Sequence, residues 1–284
     1  MRETAILLIS CPDRKGILAE ITGFIAKHGG NILHADQHID FQKEIFFMRI
    51  EWDLSNFEIP KEKLPESFQP IAEKFQMDYQ IKFSSDIQNV AIFVSKYDHC
   101  LYELLYRFKA GELRGNLKFV ISNHPDLKPV VEMYGVPFYH FPKSKENKFE
   151  VEEKEIELLK KEKIDLIILA RYMQILSDRF VNEFRNKIIN IHHSFLPAFV
   201  GAKPYHRAYE RGVKIIGATS HYVTEELDQG PIIEQDVVRV SHRDSIEDMI
   251  RKGRDLEKLV LARAVRWHLE NKILVYDNKT VIFD

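Results

Sequence analysis

Cysteine is scarce in this chain of 284 residues, and long hydrophobic runs are missing. The two cysteines, Cys11 and Cys100, are far apart, which argues against a disulfide scaffold and favours a reducing compartment. The apolar runs are all shorter than the roughly 18 residues that a membrane-spanning helix needs. The first residues, Met1-Arg2-Glu3-Thr4, lead too quickly into a short apolar segment to form a signal peptide. We therefore expect a cytoplasmic protein without a membrane partner.

An excess of charge of one sign is also missing. Lys and Arg number 41 and Asp and Glu number 43, which gives a formal net charge of -2. This balance argues against a protein that binds nucleic acid by neutralising many phosphates. Apolar residues make up 45% of the chain, which is enough to build cores and excludes a disordered protein. The length predicts two domains, and a polar link near residues 84–89 places them at 1–85 and 86–284.

Hydrophobic periodicity in the first 85 residues predicts four strands and two helices. The apolar run at 4–10 is typical of a buried strand. Apolar residues from Ile17 to Ile25 recur every three or four positions, so we expect an amphipathic helix that ends at Gly29 and Gly30. Later runs predict strands at 31–40 and 44–54, a helix at 61–75 and a strand at 78–84. This β-α-β-β-α-β order is the ferredoxin-like arrangement.

Two short segments of this region resemble an ACT domain, a regulatory module that pairs with further copies and binds an amino acid between them. They are residues 11–17 after the first strand and Gly30-Asn31-Ile32 at the second. The resemblance implies an effector site that includes Asp13, Gly16, Asn31 and Ile32, and a homo-oligomer, either a dimer or a tetramer. The alternative is a turn glycine and a strand-entry asparagine that serve only to pair domains.

Beyond residue 89 the pattern alternates between strands and helices. Uninterrupted apolar runs at 90–95, 117–122 and 165–170 are typical of strands that are buried on both faces of a parallel sheet. Ligands of such sheets bind beyond the carboxyl ends of the strands, so we expect a site in the loops after Val94, Ala170 and Ile191. A long helix near 245–269 and a closing hairpin at 272–276 and 280–283 complete the chain.

Residues 190–230 contain the densest group of reactive side chains. Side chains alternate along a strand, so Asn190, His192 and Ser194 should share one face. An amide and an imidazole side by side can both donate hydrogen bonds to one developing oxyanion. His221 lies in a predicted strand at 219–223, and Asp228 lies in the following turn. A carboxylate brought near His192 would orient the ring and accept a proton from an attacking water.

Each of these residues also has a plainer interpretation. Asn190 and the Asp228-x-Gly230-Pro231 segment are common turn formers, and a lone histidine is usually a hydrogen-bonded polar residue. A zinc site at His192, His221 and Asp228 is disfavoured, because His192 and His193 should lie on opposite strand faces and no HExxH or CxxC spacing occurs. We therefore predict no metal.

Taken together, these residues resemble the signature of the 10-formyltetrahydrofolate-dependent formyl transferases. The matching positions are Asn190, His192, 194–197, Gly201, Ala208, Gly212, 217–219, His221, Asp228 and 230–233, and residues 169–176 resemble the folate pocket of that family. The resemblance implies a Rossmann-like, mostly parallel sheet, so that the whole protein is of the α/β class. It also implies that Asn190, His192 and Asp228 are catalytic. Substrate-binding positions implied by it are Arg171, Tyr172, Met173, Gln174, Leu176, Ser194, His221 and Glu225.

The acceptor of the formyl group separates the members of this family. Glycinamide ribonucleotide formyl transferases hold a phosphate on a glycine-rich turn, but residues 95–101 contain no glycine and include Asp98. A methionyl-tRNA formyl transferase would need a basic tRNA-binding domain, and this chain ends in a short hairpin. Water remains as the acceptor, and nearly the whole chain is similar to the formyltetrahydrofolate deformylases.

The resemblance to the deformylases implies hydrolysis of 10-formyltetrahydrofolate to tetrahydrofolate and formate. The folate is then the substrate and no further cofactor is expected, while the formate would feed purine synthesis or balance the one-carbon pool. His99 and Tyr172 would close the pocket that transferases leave open, unless they only pack. The alternatives are a formyl transferase with an unusual acceptor and a folate or amino-acid sensor without turnover.

Overall fold

The structure is a computed structural model that describes residues 2–197 and 204–284. Gly201, which contributes to the transferase-like signature, lies outside the described residues. The chain divides into two compact units. The first consists of Met1–Ile87, Asn271–Tyr276 and Val281–Asp284, and the second of Gln88–Glu270 and Asp277–Thr280. The segments 271–276 and 281–284 are therefore grouped with the N-terminal unit, whereas the sequence-based division assigned the whole C-terminal tail to the second domain.

The first unit contains an antiparallel sheet of four strands with two helices on one face. Its elements are β1 (Thr4–Pro12), α1 (Ile17–Lys27), β2 (Asn31–Asp40), β3 (Ile45–Asp53), α2 (Leu64–Phe75) and β4 (Asp78–Phe83). The strands lie in the order β2-β3-β1-β4, and the predicted β-α-β-β-α-β sequence of elements is confirmed. The apolar faces of the helices, including Ile21 and Phe68, bury Trp52 of the sheet to 1% exposure. Burial of these faces holds the unit together.

A C-terminal hairpin covers part of the other sheet face of the first unit. Its strands are β12 (Ile273–Tyr276) and β13 (Lys279–Ile282). Phe47 and Phe283 are almost fully buried in a cluster with Leu8, and the ring centroid of Tyr276 lies 4.5 Å from that of Phe47. The apolar alternation of the tail therefore serves a second, smaller core.

The second unit is built on a sheet of seven strands in the order β11-β10-β9-β8-β5-β6-β7. Its elements are β5 (Gln88–Val94), α3 (His99–Ala110), β6 (Gly115–Ser122), α4 (Lys128–Met133), β7 (Phe138–His140), α5 (Lys148–Lys161), β8 (Leu166–Ala170), α6 (Asp178–Glu183), β9 (Ile188–His192), α7 (Pro204–Arg211), β10 (Ile215–Tyr222), β11 (Ile232–Arg239) and α8 (Ile246–Leu269). Strands β5 to β9 pair in parallel, as the uninterrupted apolar runs predicted.

The far edge of this sheet differs from the prediction. β10 begins at Ile215 rather than at residue 219, and β11 was not predicted as a strand. Both pairs, β9 with β10 and β10 with β11, are antiparallel. The polar, half-exposed sequence of β11 carries only a weak strand pattern, because an edge strand gains its structure mainly from pairing with its neighbour.

The long helix α8 begins at a well-defined cap. The Ser245 side chain accepts a hydrogen bond from the Asp248 amide, and the Asp248 side chain accepts one from the Ser245 amide. This reciprocal pairing satisfies two amides that the first helical turn leaves open. Within residues 2–197 and 204–284, none of the helices is both long and apolar enough to cross a membrane.

Candidate active site

A cavity of about 550 Å³ lies at the carboxyl ends of β5, β8 and β9. Its wall includes Tyr97 and His99 after β5, residues 171–176 after β8, and residues 190–193 at the end of β9. The turn after β10, residues of α7 and the middle of α8 also line the cavity. Because parallel strands place their carboxyl ends at one edge, loops distant in sequence meet there.

The side chains of His192 and Asp228 are in direct contact in this cavity. The distance from His192 Nδ1 to Asp228 Oδ2 is 3.2 Å, and the two side chains are 8% and 14% exposed. Burial by itself would raise the pKa of Asp228, but the hydrogen bonds and charges of His192 and His221 hold it well below its usual value. The buried Nε2 of His192 has no hydrogen-bond partner among the described residues. The ring is therefore anchored at one nitrogen, while the other is buried without a partner among the described residues.

Asn190 and His221 sit beside this pair because β9 and β10 are antiparallel. The register places Asn190 opposite His221 and His192 opposite Thr219. Asn190 Nδ2 lies 3.2 Å from His221 Nε2, and His221 Nδ1 lies 2.9 Å from the Tyr222 carbonyl oxygen. His221 Nε2 is also 3.7 Å from Asp228 Oδ1. The amide, both imidazoles and the carboxylate thus converge on one corner of the cavity.

Two backbone positions at the site have φ angles that side chains rarely adopt. Arg171 has φ 60° directly after β8, and Asp228 has φ 58° in the turn after β10. Such left-handed residues are uncommon outside glycine, and they cluster where a structure fixes a side chain for function. Both residues line the cavity.

His193 differs from the expectation. Strand alternation placed it on the face opposite His192, yet both residues line the cavity and their ring centroids are 5.1 Å apart. The expectation was wrong because β9 ends at His192, so alternation does not extend to residue 193. Burial, together with the nearby charge of Arg171, lowers the pKa of His193 to about 4. This ring is therefore neutral at pH 7.

A different set of side chains brings metal-type donor atoms together. In the described part of the chain, donor atoms of His99, Cys100 and Glu257 lie within 4.8 Å of one another. Glu257 Oε2 is already hydrogen-bonded to His99 Nε2 at 2.8 Å. Burial and the charge of Glu257 raise the pKa of the Cys100 thiol well above its usual value. A protonated thiol beside two groups that bond each other does not favour a metal ion.

The segment predicted to bind folate forms one continuous part of the wall. Residues 171–174 and Leu176 all line the cavity. The Met173 amide donates to Ser95 Oγ at 2.9 Å, and the Tyr172 hydroxyl accepts from Lys143 Nζ at 3.0 Å. Burial raises the pKa of Tyr172 well above its usual range, so its hydroxyl stays neutral. The backbone and the polar tips of this segment are thus held in place by other strands and loops.

Of two further residues that were predicted to bind the substrate, one lines the cavity and the other does not. Glu225 lines the cavity at an exposed position and accepts a hydrogen bond from Asn182 Nδ2 at 2.5 Å. Ser194 is buried but lies outside the described cavity wall, and its carbonyl accepts a hydrogen bond from Thr219 at 2.8 Å. His99 lies in the wall, as the pocket-closing interpretation requires.

The predicted effector residues do not come together within one chain. Pro12, beside Asp13, pairs with Ile45, whereas Asn31 pairs with Asp53. These positions mark opposite ends of β3, about 26 Å apart at about 3.3 Å per residue. Gly16 precedes α1 with φ 95° and no neighbour within 4 Å of an added Cβ, and Ile32 packs on the core. One small ligand can reach both ends only if a second copy contributes one of them.

Sequence reasoning missed the contribution of α8. Glu257 is 1% exposed on the face that also buries Met249, Leu256 and Val260, and Arg254 reaches the cavity rim. An acidic residue on the apolar side of an amphipathic helix was the signal that could have found it, because an unpaired buried carboxylate is costly.

Comparisons with known proteins cover the whole chain. The family model described as formyl transferase matches residues 88–265, and the ACT domain model matches residues 5–59. A protein of Synechocystis sp. named formyltetrahydrofolate deformylase is 58% identical, over 99% of this chain and 98% of its own length. One of the same name from Bacillus subtilis is 50% identical, over 98% and 93%. The crystal structure of a formyltetrahydrofolate deformylase from Pseudomonas syringae pv. tomato superposes with a TM-score of 0.97 at 51% identity, covering 100% of this chain and 95% of that one.

Proposed function

The chain belongs to the formyltetrahydrofolate deformylase family, and from this premise we propose how its cavity hydrolyses 10-formyltetrahydrofolate to tetrahydrofolate and formate. The observation that carries the mechanism is the convergence of Asn190, His192 and Asp228 on one corner of the cavity. This corner supplies two donors for an oxyanion and one carboxylate for a water.

The formyl carbon lies beside Asn190 and His192. Asp228 orients a water molecule and takes its proton as the water oxygen bonds to the formyl carbon. The carbonyl oxygen becomes an oxyanion that accepts hydrogen bonds from the Asn190 amide and from Nε2–H of protonated His192. His192 Nε2 is suited to this role because it is buried in the cavity without a partner among the described residues.

The second half of the reaction breaks the bond between the formyl carbon and N10. N10 leaves as an amine and takes a proton from Asp228 or His192, and the formyl group departs as formate. In the resting site His192 and His221 lower the pKa of Asp228, which makes its carboxylate a weak base. The developing oxyanion neutralises the charge of His192, so the basicity of Asp228 rises during the attack.

The folate binds along the segment 171–176 and beside Glu225, Leu227 and Asp228, which line the cavity. Backbone groups of Arg171, Tyr172, Met173 and Gln174 offer hydrogen-bond partners to the pterin, and the Leu176 side chain supplies an apolar contact. His221 holds the Asn190 amide in place from the neighbouring strand. These contacts orient the formyl carbon and need not change during the chemical step.

The N-terminal unit regulates and assembles the enzyme. An amino acid binds between copies of the ACT domain, at Asp13 and Gly16 of one copy and at Asn31 and Ile32 of the next. The positions of these pairs at opposite ends of one sheet support a shared site. The protein is accordingly a homo-oligomer, a dimer or a tetramer.

A single incubation tests the proposed reaction. The protein is mixed with 10-formyltetrahydrofolate and no acceptor, and tetrahydrofolate and formate are measured separately. Equal amounts of both products are expected, and the Asp228→Asn variant should form far less. Turnover that requires an added amine would indicate a transferase, and binding without either product would indicate a sensor.

A further inference from the structure

Glu257 is a buried carboxylate whose hydrogen bonds close one side of the cavity. Its Oε1 accepts from the Tyr205 hydroxyl at 2.8 Å, and its Oε2 is 2.8 Å from His99 Nε2. The Nε of Arg171 lies 3.4 Å from the same Oε2. His99, Tyr205 and Glu257, here called the plug, all line the cavity. Both carboxylate oxygens are therefore engaged by neighbours.

The carboxylate of Glu257 is ionised in spite of its burial. Burial by itself would raise the pKa of Glu257, but the hydrogen bond from His99 and the positive charge of Arg171 outweigh it, and the pKa is lowered. A ligand that displaced either His99 or Tyr205 would leave part of this carboxylate without a donor. Such a loss is unfavourable for a carboxylate that is only 1% exposed.

A glycine in helix α8 leaves room for Tyr205 beside Glu257. Gly253 stands one turn before Glu257 in the helix interior, where glycine weakens a helix relative to alanine. A Cβ at this position would lie 2.0 Å from the Tyr205 hydroxyl oxygen. The absence of a side chain at residue 253 is therefore what lets Tyr205 reach Glu257.

The plug is close to the reacting groups. The ring centroid of His193 lies 6.2 Å from that of Tyr205 and 5.1 Å from that of His192. One neutral imidazole thus separates the plug from the imidazole that would hold the oxyanion.

We propose that His99, Tyr205 and Glu257 determine the acceptor of this enzyme by filling the space that an amine nucleophile would need, so that water alone reaches the formyl carbon. This inference rests on the proposed hydrolysis and assigns to Glu257 and Tyr205 a role in specificity. When a substitution makes the plug smaller, the nitrogen of a primary amine attacks the formyl carbon and loses a proton to Asp228. The bond to N10 breaks, N10 takes the proton, and a formamide forms instead of formate.

The test measures how the formyl group is divided between two acceptors. Wild type and the His99→Ala variant are incubated with 10-formyltetrahydrofolate and O-benzylhydroxylamine, an amine-type nucleophile much larger than water. Formate and the N-formyl product are quantified in the same sample. Wild type should give formate only, and His99→Ala should raise the N-formyl fraction at least about tenfold over the uncatalysed background. The double variant His99→Ala/Tyr205→Ala should raise it further.

Two further variants make the outcome decisive. Tyr102 belongs to α3, as His99 does, but its half-exposed ring lies outside the described cavity wall. The Tyr102→Ala variant should divide the formyl group between water and the amine as wild type does. Tyr205→Phe keeps the ring but loses the hydrogen bond to Glu257, and it should favour water because the volume stays filled. If the plug residues had only a structural role, their substitution would lower total turnover and leave the ratio of formate to N-formyl product unchanged.

The proposal is overturned if folded His99→Ala and the double variant release formate alone at saturating amine. It is also overturned if wild type forms the N-formyl product, a result that does not depend on whether any variant folds. A wild-type protein that releases no formate in the absence of amine would instead refute the proposed hydrolysis itself.

Discussion

Replacement of Asp228 by asparagine probes the centre of the proposed site. Asparagine keeps the size of the side chain and tolerates the left-handed backbone at φ 58°, where alanine would add strain. The substitution removes the negative charge that lies 3.2 Å from His192 Nδ1 and 3.7 Å from His221 Nε2. The backbone is preserved, and only the charge and the proton acceptor are lost.

The expected size of the effect follows from the burial of the pair. Two unit charges about 4 Å apart interact by about 4 kcal/mol at an effective dielectric constant of about 20, which suits a partly buried pair. Each 1.4 kcal/mol or so is a factor of about ten in rate, so the electrostatic loss alone approaches about 1000-fold. Loss of the proton acceptor adds to it, and we expect kcat to fall by about 1000- to 10000-fold.

The assay follows tetrahydrofolate formation at saturating 10-formyltetrahydrofolate, with circular dichroism to verify the fold. Glu226→Gln is the matched control, because this carboxylate lies in the same turn, is exposed and is not part of the described cavity wall. The control should retain turnover within about twofold of wild type. An Asp228→Asn enzyme within tenfold of wild type would refute the assignment of the base, and an equal loss in Glu226→Gln would attribute the effect to the turn.

Further predictions concern the oxyanion, pH and stability. Asn190→Ala should lower kcat by about 100- to 1000-fold with little change in KM, since the amide acts mainly on the developing oxyanion; a change confined to KM would contradict this role. The lowered pKa keeps Asp228 ionised at every pH above about 4, so kcat should not fall between pH 7 and about pH 5; a loss with a midpoint near pH 6 would point to a neutral imidazole as the base. Ser245→Ala breaks the capping box of α8 and should reduce the free energy of unfolding by about 1 kcal/mol in urea titrations, whereas an unchanged midpoint would show that the cap is dispensable. Phe47→Ala empties a position that is 0% exposed and should cost about 3–5 kcal/mol in the same assay; a loss below about 1 kcal/mol would mean that the hairpin core contributes little.

Local patterns in the sequence were sufficient to identify most of the elements. The apolar period changes from two to about 3.6 between strands and helices, and glycines such as Gly29 and Gly111 follow helix ends with positive φ. Uninterrupted apolar strands such as β8 predicted the parallel part of the large sheet. These features depend on residues a few positions apart, so they can be derived before any tertiary contact is known.

The sequence also predicted which residues make up the candidate site, but it did not predict how they are arranged in space. Asn190, His192 and Asp228 could be singled out by type and spacing. Their contact depends on the antiparallel pairing of β9 with β10, which no local pattern specifies. His193 faces the cavity because a strand ends one residue earlier than alternation would suggest.

The sequence itself determined most of the strands and helices, the presence of two kinds of module and the candidate reactive side chains, because these rest on local periodicity and on residue chemistry. The tertiary structure alone decided that Glu257 of α8 meets His99 of α3 and Tyr205 of α7. These residues are up to 158 positions apart. Their meeting depends on how helices pack on a sheet, and that packing is a property of the whole folded unit.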